Sequence, residues 1–158
     1  MNLRKFSFAI NKHGYIGFIN VLLGKLGLKF RLDTQLKKLI VWYGREMERI
    51  SNKKIIDGNY KGVSFHINKN WNTTDSASKY LGLYELEVQN AIISNQKNKK
   101  LRRKYFINLG AGEGYHSVGS MHKNLFEKCI TFEAEKENNK TIQKNYEINN
   151  IKNFIIKG

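Results

Sequence analysis

The segment that most limits what this chain can become is Tyr105–Gly114, YFINLGAGEG, where an apolar run ends in glycines at 110, 112 and 114. Tyr105, Phe106, Ile107 and Leu109 read as a buried strand, and Gly110, Ala111, Gly112, Glu113 and Gly114 as a turn from which a helix starts. Without Cβ the turn can take positive φ and a ligand can approach the main chain, while N–H groups of the following helix point at it. This is the strand-to-helix turn that nucleotide-type cofactors use. Dinucleotide-binding turns read GxGxxG or GxGxxA, with a small third residue that lets the helix pack closely. Here that third position is Tyr115, and the glycines fall as GxGxG instead.

The next strand, Cys129–Glu133 (CITFE), is apolar and β-branched and ends in a carboxylate 21 residues after Gly112, the length of one helix and one strand. A carboxylate at the tip of the second strand of a βαβ unit faces the ribose of an adenosine lying across the first, and accepts hydrogen bonds from both hydroxyls. Such charge-assisted bonds contribute roughly 1.5–3 kcal/mol each. Glu133 is therefore the leading ligand-binding candidate, with Glu135 as its alternate. The order continues as a helix over about 115–124, a strand over 129–133, a helix over about 136–149 and a strand over 154–156. This βαβαβ alternation predicts a parallel sheet with right-handed crossovers, covered on both faces.

On these residues the chain resembles the FkbM-type methyltransferases, through INLGAGEGYHSVG at 107–119, TFEAEKENNKTIQKNYEINNI at 131–151 and YLGLYELEVQNAI at 80–92, about half of the sequence. The resemblance implies a Rossmann-like class I methyltransferase fold, S-adenosylmethionine as donor, and O-methylation of a small molecule or a sugar-containing product. Gly110, Gly112 and Gly114, with Ala111 between them, match the family's cofactor turn, and Glu133 matches its acidic ribose ligand. Asn108 stands where many class I methyltransferases carry an acidic residue at the end of the first strand. Its amide can still hydrogen-bond there. Family members have a seven-stranded sheet, so a chain reaching Gly158 directly after its third strand is expected to be C-terminally incomplete. An open edge at the first strand would then leave unpaired backbone groups and an uncovered apolar face, through which chains associate. The expected organisation is an N-terminal helical and hairpin region over 1–70 and a partial methyltransferase domain over 71–158.

Ahead of that domain, Ile16–Leu28 is an apolar stretch short of the ~20 residues that span a bilayer, without a small-residue cleavage site after it. It reads as a helix packed on the protein itself. Asp33–Ile50 places Leu36, Leu39, Ile40, Tyr43 and Met47 at helical intervals behind a capping aspartate. Lys54–Ile67 reads as a β-hairpin turning at Asp57-Gly58. Tyr80–Asn95 reads as one helix, with Leu83, Leu86, Glu87, Asn90 and Ile93 at helical spacing. In the resembled fold it lies beside the cofactor, which brings Tyr84 and Glu85 near the methionine end of the donor, although a sheet-covering helix with a solvated carboxylate is the plainer expectation.

The formal charge of +15 would suit a polyanionic partner. Yet 22 of the 28 basic residues are Lys, Pro is absent, and Asn and Ile abound, the bias of an AT-rich coding sequence. Arginine, which suits bidentate phosphate contacts, is scarce. The dense cluster Lys97, Lys99, Lys100, Arg102, Arg103 and Lys104 reads as a solvated loop over 95–104, with nucleic acid a secondary partner. His13, His66, His116 and His122 share no ligand spacing with one another or with Cys129, so no metal site is expected. A single cysteine without a disulfide partner agrees with a reducing cytoplasm. His116 is near the expected site, but the first turn of a helix serves packing more often than proton transfer, and no catalytic base is assigned. Two other classes remain. An NAD-dependent oxidoreductase would share the turn and the ribose carboxylate and is disfavoured by Tyr115. A non-catalytic basic interaction fragment would bind anionic surfaces in a salt-dependent way.

Overall fold

The computed structural model describes residues 19, 22, 23, 26, 32–68, 74–97 and 104–158. The chain divides into two compact units, residues 1–42 and 43–158. The apolar stretch at 16–28 and the loop at 98–103 lie almost wholly outside the described residues. Asn95 and Lys97, expected in that loop, belong to a helix instead.

Among the described residues the elements in order are α1 (Leu32–Ile50), α2 (Ser76–Leu81), α3 (Leu86–Lys97), β1 (Tyr105–Leu109), α4 (Tyr115–His122), β2 (Lys128–Phe132), α5 (Lys136–Ile148) and β3 (Phe154–Lys157). The strands form a parallel sheet in the order β1-β2-β3. Register pairs Phe106 with Cys129 and Cys129 with Phe154, and Asn108 with Thr131 and Thr131 with Ile156. These residues share one face, because side chains alternate along a strand. That face meets α4 and α5: Asn108 donates to Ser117 of α4, Thr131 bonds the Tyr146 hydroxyl of α5, and the Tyr146 ring stacks on Phe154 at 4.1 Å. The α/β alternation and the parallel sheet are thus as expected.

The opposite face is uncovered, as expected of an open edge at the first strand but against the expectation of a sheet covered on both faces. Among the described residues β1 is an edge strand rather than a buried one, and Tyr105, Ile107 and Leu109 are exposed at 58%, 59% and 74%, with Phe132 beside them. Among the described residues the sheet is covered on one face only, since α4 and α5 both lie on that same face.

The segment at 54–67 is not a full hairpin. Lys54 and Ser64 form a single antiparallel bridge, supported by Ile55 N–H to Val63 O and Phe65 N–H to Lys53 O. The ladder stops where Lys53 N–H donates to Glu48 O and Phe65 O accepts from the Tyr80 hydroxyl, while the outer edge of the 64–66 segment meets amides of α5 and its C-cap. Asn149 accepts from Ser64 N–H and donates to Ser64 O, and Asn145 does the same with His66. Four residues along a helix rise about 6.0 Å and two along a strand about 6.6 Å, so an i, i+4 pair of amides reaches alternate residues of an extended chain. Ile55, Tyr60, Val63 and Phe65 are thereby buried with Tyr80, Val118, Ile142 and Tyr146 in one core.

The helix expected over 80–95 is broken. Gly82 caps α2 at φ 76°, and the chain re-enters a helix only at Leu86. A Cβ at Gly82 would sit 2.0 Å from Asp57 O, so the turn at Asp57-Gly58 packs backbone to backbone against this break.

Candidate functional site

The parallel strands end at a cleft of about 520 Å³, lined by the glycine turn, Asn108, Glu133, Tyr115 and His116, and by Asp75, Lys79, Tyr84 and Glu85 from α2 and the break after it. The crevice beyond the carboxyl ends of strands is where open α/β sheets bind ligands. A larger concavity of about 900 Å³, lined by Met121, Phe126, Asn149, Asn153 and their neighbours, lies at the other end of β2 and β3, away from the turn.

Gly110, Gly112 and Gly114 all have positive φ, at 69°, 56° and 83°. A Cβ at Gly110 or Gly112 would meet nothing within 4 Å, whereas one at Gly114 would lie 3.3 Å from Ile142. The first two glycines therefore leave open space above the main chain, and the third allows α4 to pack on α5. The turn's own N–H groups are largely committed. Those of Gly110 and Ala111 donate to Phe132 O, that of Gly114 to Ala111 O, and that of Gly112 to a Glu133 carboxylate oxygen at 2.7 Å. The other Glu133 oxygen accepts from Glu135 N–H at 2.9 Å. Each carboxylate oxygen has a second lone pair, so the side chain is fixed by the backbone with acceptor capacity remaining. Glu135 supplies that N–H and precedes α5, but it does not line the cleft.

Two arrangements in the wall were not foreseen. Lys79 and Glu113 form an ion pair of 2.6 Å at 6% and 2% side-chain exposure. Glu113 also accepts from Asn68 N–H, and the Lys79 ammonium lies 4.9 Å from the Tyr84 ring centroid. Separated by 34 residues, the two offer no sequence signal that they pair. The second is an aromatic cluster centred on Tyr115, whose ring meets Tyr60, Phe65, Tyr84 and His116 edge-on at 5.3–5.5 Å. The side chain that breaks the dinucleotide pattern is thus the hub joining the 54–67 segment and the α2–α3 break to the start of α4.

His116 is not merely a packing residue. Its Nε2 lies 2.7 Å from a Glu85 carboxylate oxygen, and its Nδ1 lies 3.4 Å from the Tyr60 hydroxyl, itself 3.2 Å from Ser120 Oγ. Burial pushes the Tyr60 hydroxyl up to about 12, partly offset by its Ser120 bond, so it stays protonated at neutral pH. One consistent set of donors then runs from Ser120 to Tyr60 to His116 and on to Glu85. Among the described residues no three His, Cys, Asp or Glu side chains come together as metal ligands, and no helix is long and apolar enough to cross a membrane.

No family model matches the chain, and no curated protein and no solved structure matches it.

Proposed function

We propose that the cleft binds S-adenosylmethionine and that the chain serves methyl transfer to an oxygen of a small molecule or a sugar-containing product. The observation that carries this reading is Glu133, tied to the glycine turn through Gly112 N–H beside open space over Gly110 and Gly112. It supports an adenosine whose ribose hydroxyls reach the carboxylate. Charge supports it too. In a chain with more than twice as many basic as acidic residues, the cleft is lined by four carboxylates, Asp75, Glu85, Glu113 and Glu133, and by one lysine. A cationic donor suits that lining. The pyrophosphate of a dinucleotide would have to lie over the turn beside Glu133.

When bound, the donor supplies an activated sulfonium methyl group for in-line attack by an acceptor oxygen. Glu133 binds the ribose, the turn admits the donor against the main chain, and Tyr84 and Tyr115 exclude water from one wall. Most of the acceleration then comes from alignment and desolvation.

Calorimetric titration with S-adenosylhomocysteine tests the reading. Glu133→Ala is expected to weaken binding at least about tenfold, about 1.4 kcal/mol, and NADH is expected not to compete. Equal affinity for variant and parent, or no binding by the parent, would sink it.

A further inference from the structure

The carboxylates of the cleft are unequally committed. Glu113 is neutralised by Lys79 and bonded to Asn68 N–H, and Glu133 accepts from two backbone N–H groups. Glu85 is different: among the described residues its one ion-pair partner is His116, the Tyr84 hydroxyl also hydrogen-bonds it, and its side chain remains 45% exposed. The residue is also held in place. It occupies φ 45°, a left-handed conformation uncommon outside glycine, between α2 and α3. Buried Gln89 clamps this break by donating to Gly82 O and Tyr84 O, and Val88 and Gln89 N–H both donate to Glu85 O. The His116 ring is fixed by Tyr60, Tyr84 and Tyr115 around it and directs Nε2 at the carboxylate. A rigid backbone and a rigid imidazole thus present a partly solvated negative charge to the cleft, with no lysine or arginine paired to it among the described residues.

We propose that Glu85, oriented by His116, is the recognition group for a primary ammonium on the cleft ligand. The inference rests on the reading above, in which that group is the α-amino group of S-adenosylmethionine. An ammonium carries several donors and pairs with a carboxylate in short charge-assisted bonds, and a low-dielectric wall strengthens them. Because His116 bonds one carboxylate oxygen, Glu85 meets the ligand in a set orientation. His116 is a positioning residue here; Glu85 makes the contact.

The experiment uses two ligands, S-adenosylhomocysteine and its analogue lacking the α-amino group, titrated into the parent, Glu85→Gln, His116→Leu and His116→Gln. Glu85→Gln is expected to weaken S-adenosylhomocysteine at least about tenfold and to leave the deaminated analogue unchanged. His116→Leu should act in the same selective direction, and His116→Gln, which keeps an N–H donor, should restore much of the loss. A merely structural role for either residue would move both ligands together. If the parent binds both ligands and Glu85→Gln affects neither, or both equally, the ammonium site is overturned while donor binding stands. If the parent binds neither ligand, the methyltransferase reading fails and this inference with it.

Discussion

Three glycines within five residues do different work in the turn. At Gly112 the conformation is left-handed and the space above it is open, so an added methyl group meets strain in the backbone but no neighbour. At Gly114 the same conformation comes with Ile142 and Val118 side chains within 3.4 Å of where a Cβ would lie. Gly112→Ala is therefore expected to lower stability by about 1 kcal/mol from the left-handed strain alone while weakening S-adenosylhomocysteine binding severalfold. Gly114→Ala adds overpacking to the same strain and should lose about 2–3 kcal/mol. Thermal melts of both variants, set beside titrations, check the contrast. A stability loss at Gly112 as large as at Gly114 would contradict it. The ion pair of Lys79 and Glu113 also belongs to this scale. Burying two charges earns little net stability, but together with Asn68 N–H it ties α2 and the end of the 54–68 segment to the turn.

Among the elements, α5 carries a function its sequence hides. KENNKTIQKNYEI has the composition of a polar, solvated helix, yet Asn138, Ile142, Asn145 and Tyr146 are buried on it. Asn145 and Asn149 act as a substitute strand edge for the extended segment at 64–66. Asn145→Ala strands the N–H and C=O of His66 and removes a bond to Glu113 O. The expected destabilisation is about 2–3 kcal/mol, within the range for unsatisfied buried groups. Asn149→Ala, closer to water, should lose less. Chemical denaturation measures both, and equal small losses would show that water replaces the amides. Two of the chain's many asparagines are thus put to structural use at these positions.

At the scale of the whole molecule, the exposed face of the sheet dominates behaviour in solution. Ile107 and Leu109 of β1 lie in register with Ile130 and Phe132 of β2, an apolar surface beside a strand edge left unpaired among the described residues. Such surfaces bind apolar dyes and promote association. The native chain is expected to enhance the fluorescence of anilinonaphthalene sulfonate, and the double variant Ile107→Thr, Leu109→Thr to lose most of that signal without a change in fold. A parent chain that leaves the dye dark would mean that this face is covered in solution. No described helix supplies a membrane-crossing segment that could account for the apolar surface in another way.

The strand-turn-helix order from 105 to 157 was legible in the residues themselves, because it depends on local rules: apolar β-branched runs, glycines at alternate positions, and helical spacing of Ile142 and Tyr146. The glycine turn and Glu133 were legible for the same reason, since a spacing of one helix and one strand brings them together in any βαβ unit. What only the tertiary structure decided involves distant partners. Gly82 breaks a periodic helix because the turn at Asp57-Gly58 leaves no room for a Cβ. The 54–67 hairpin loses its ladder where Lys53 N–H turns to Glu48 O and Phe65 O to the Tyr80 hydroxyl, and its outer edge is held by two asparagine amides some eighty residues away. Lys79 finds Glu113, and Glu85 finds His116, across separations that no pattern in the chain records. Local propensity follows the order of residues, whereas pairing of polar groups follows which surfaces meet when apolar area is buried, and only the folded chain settles that.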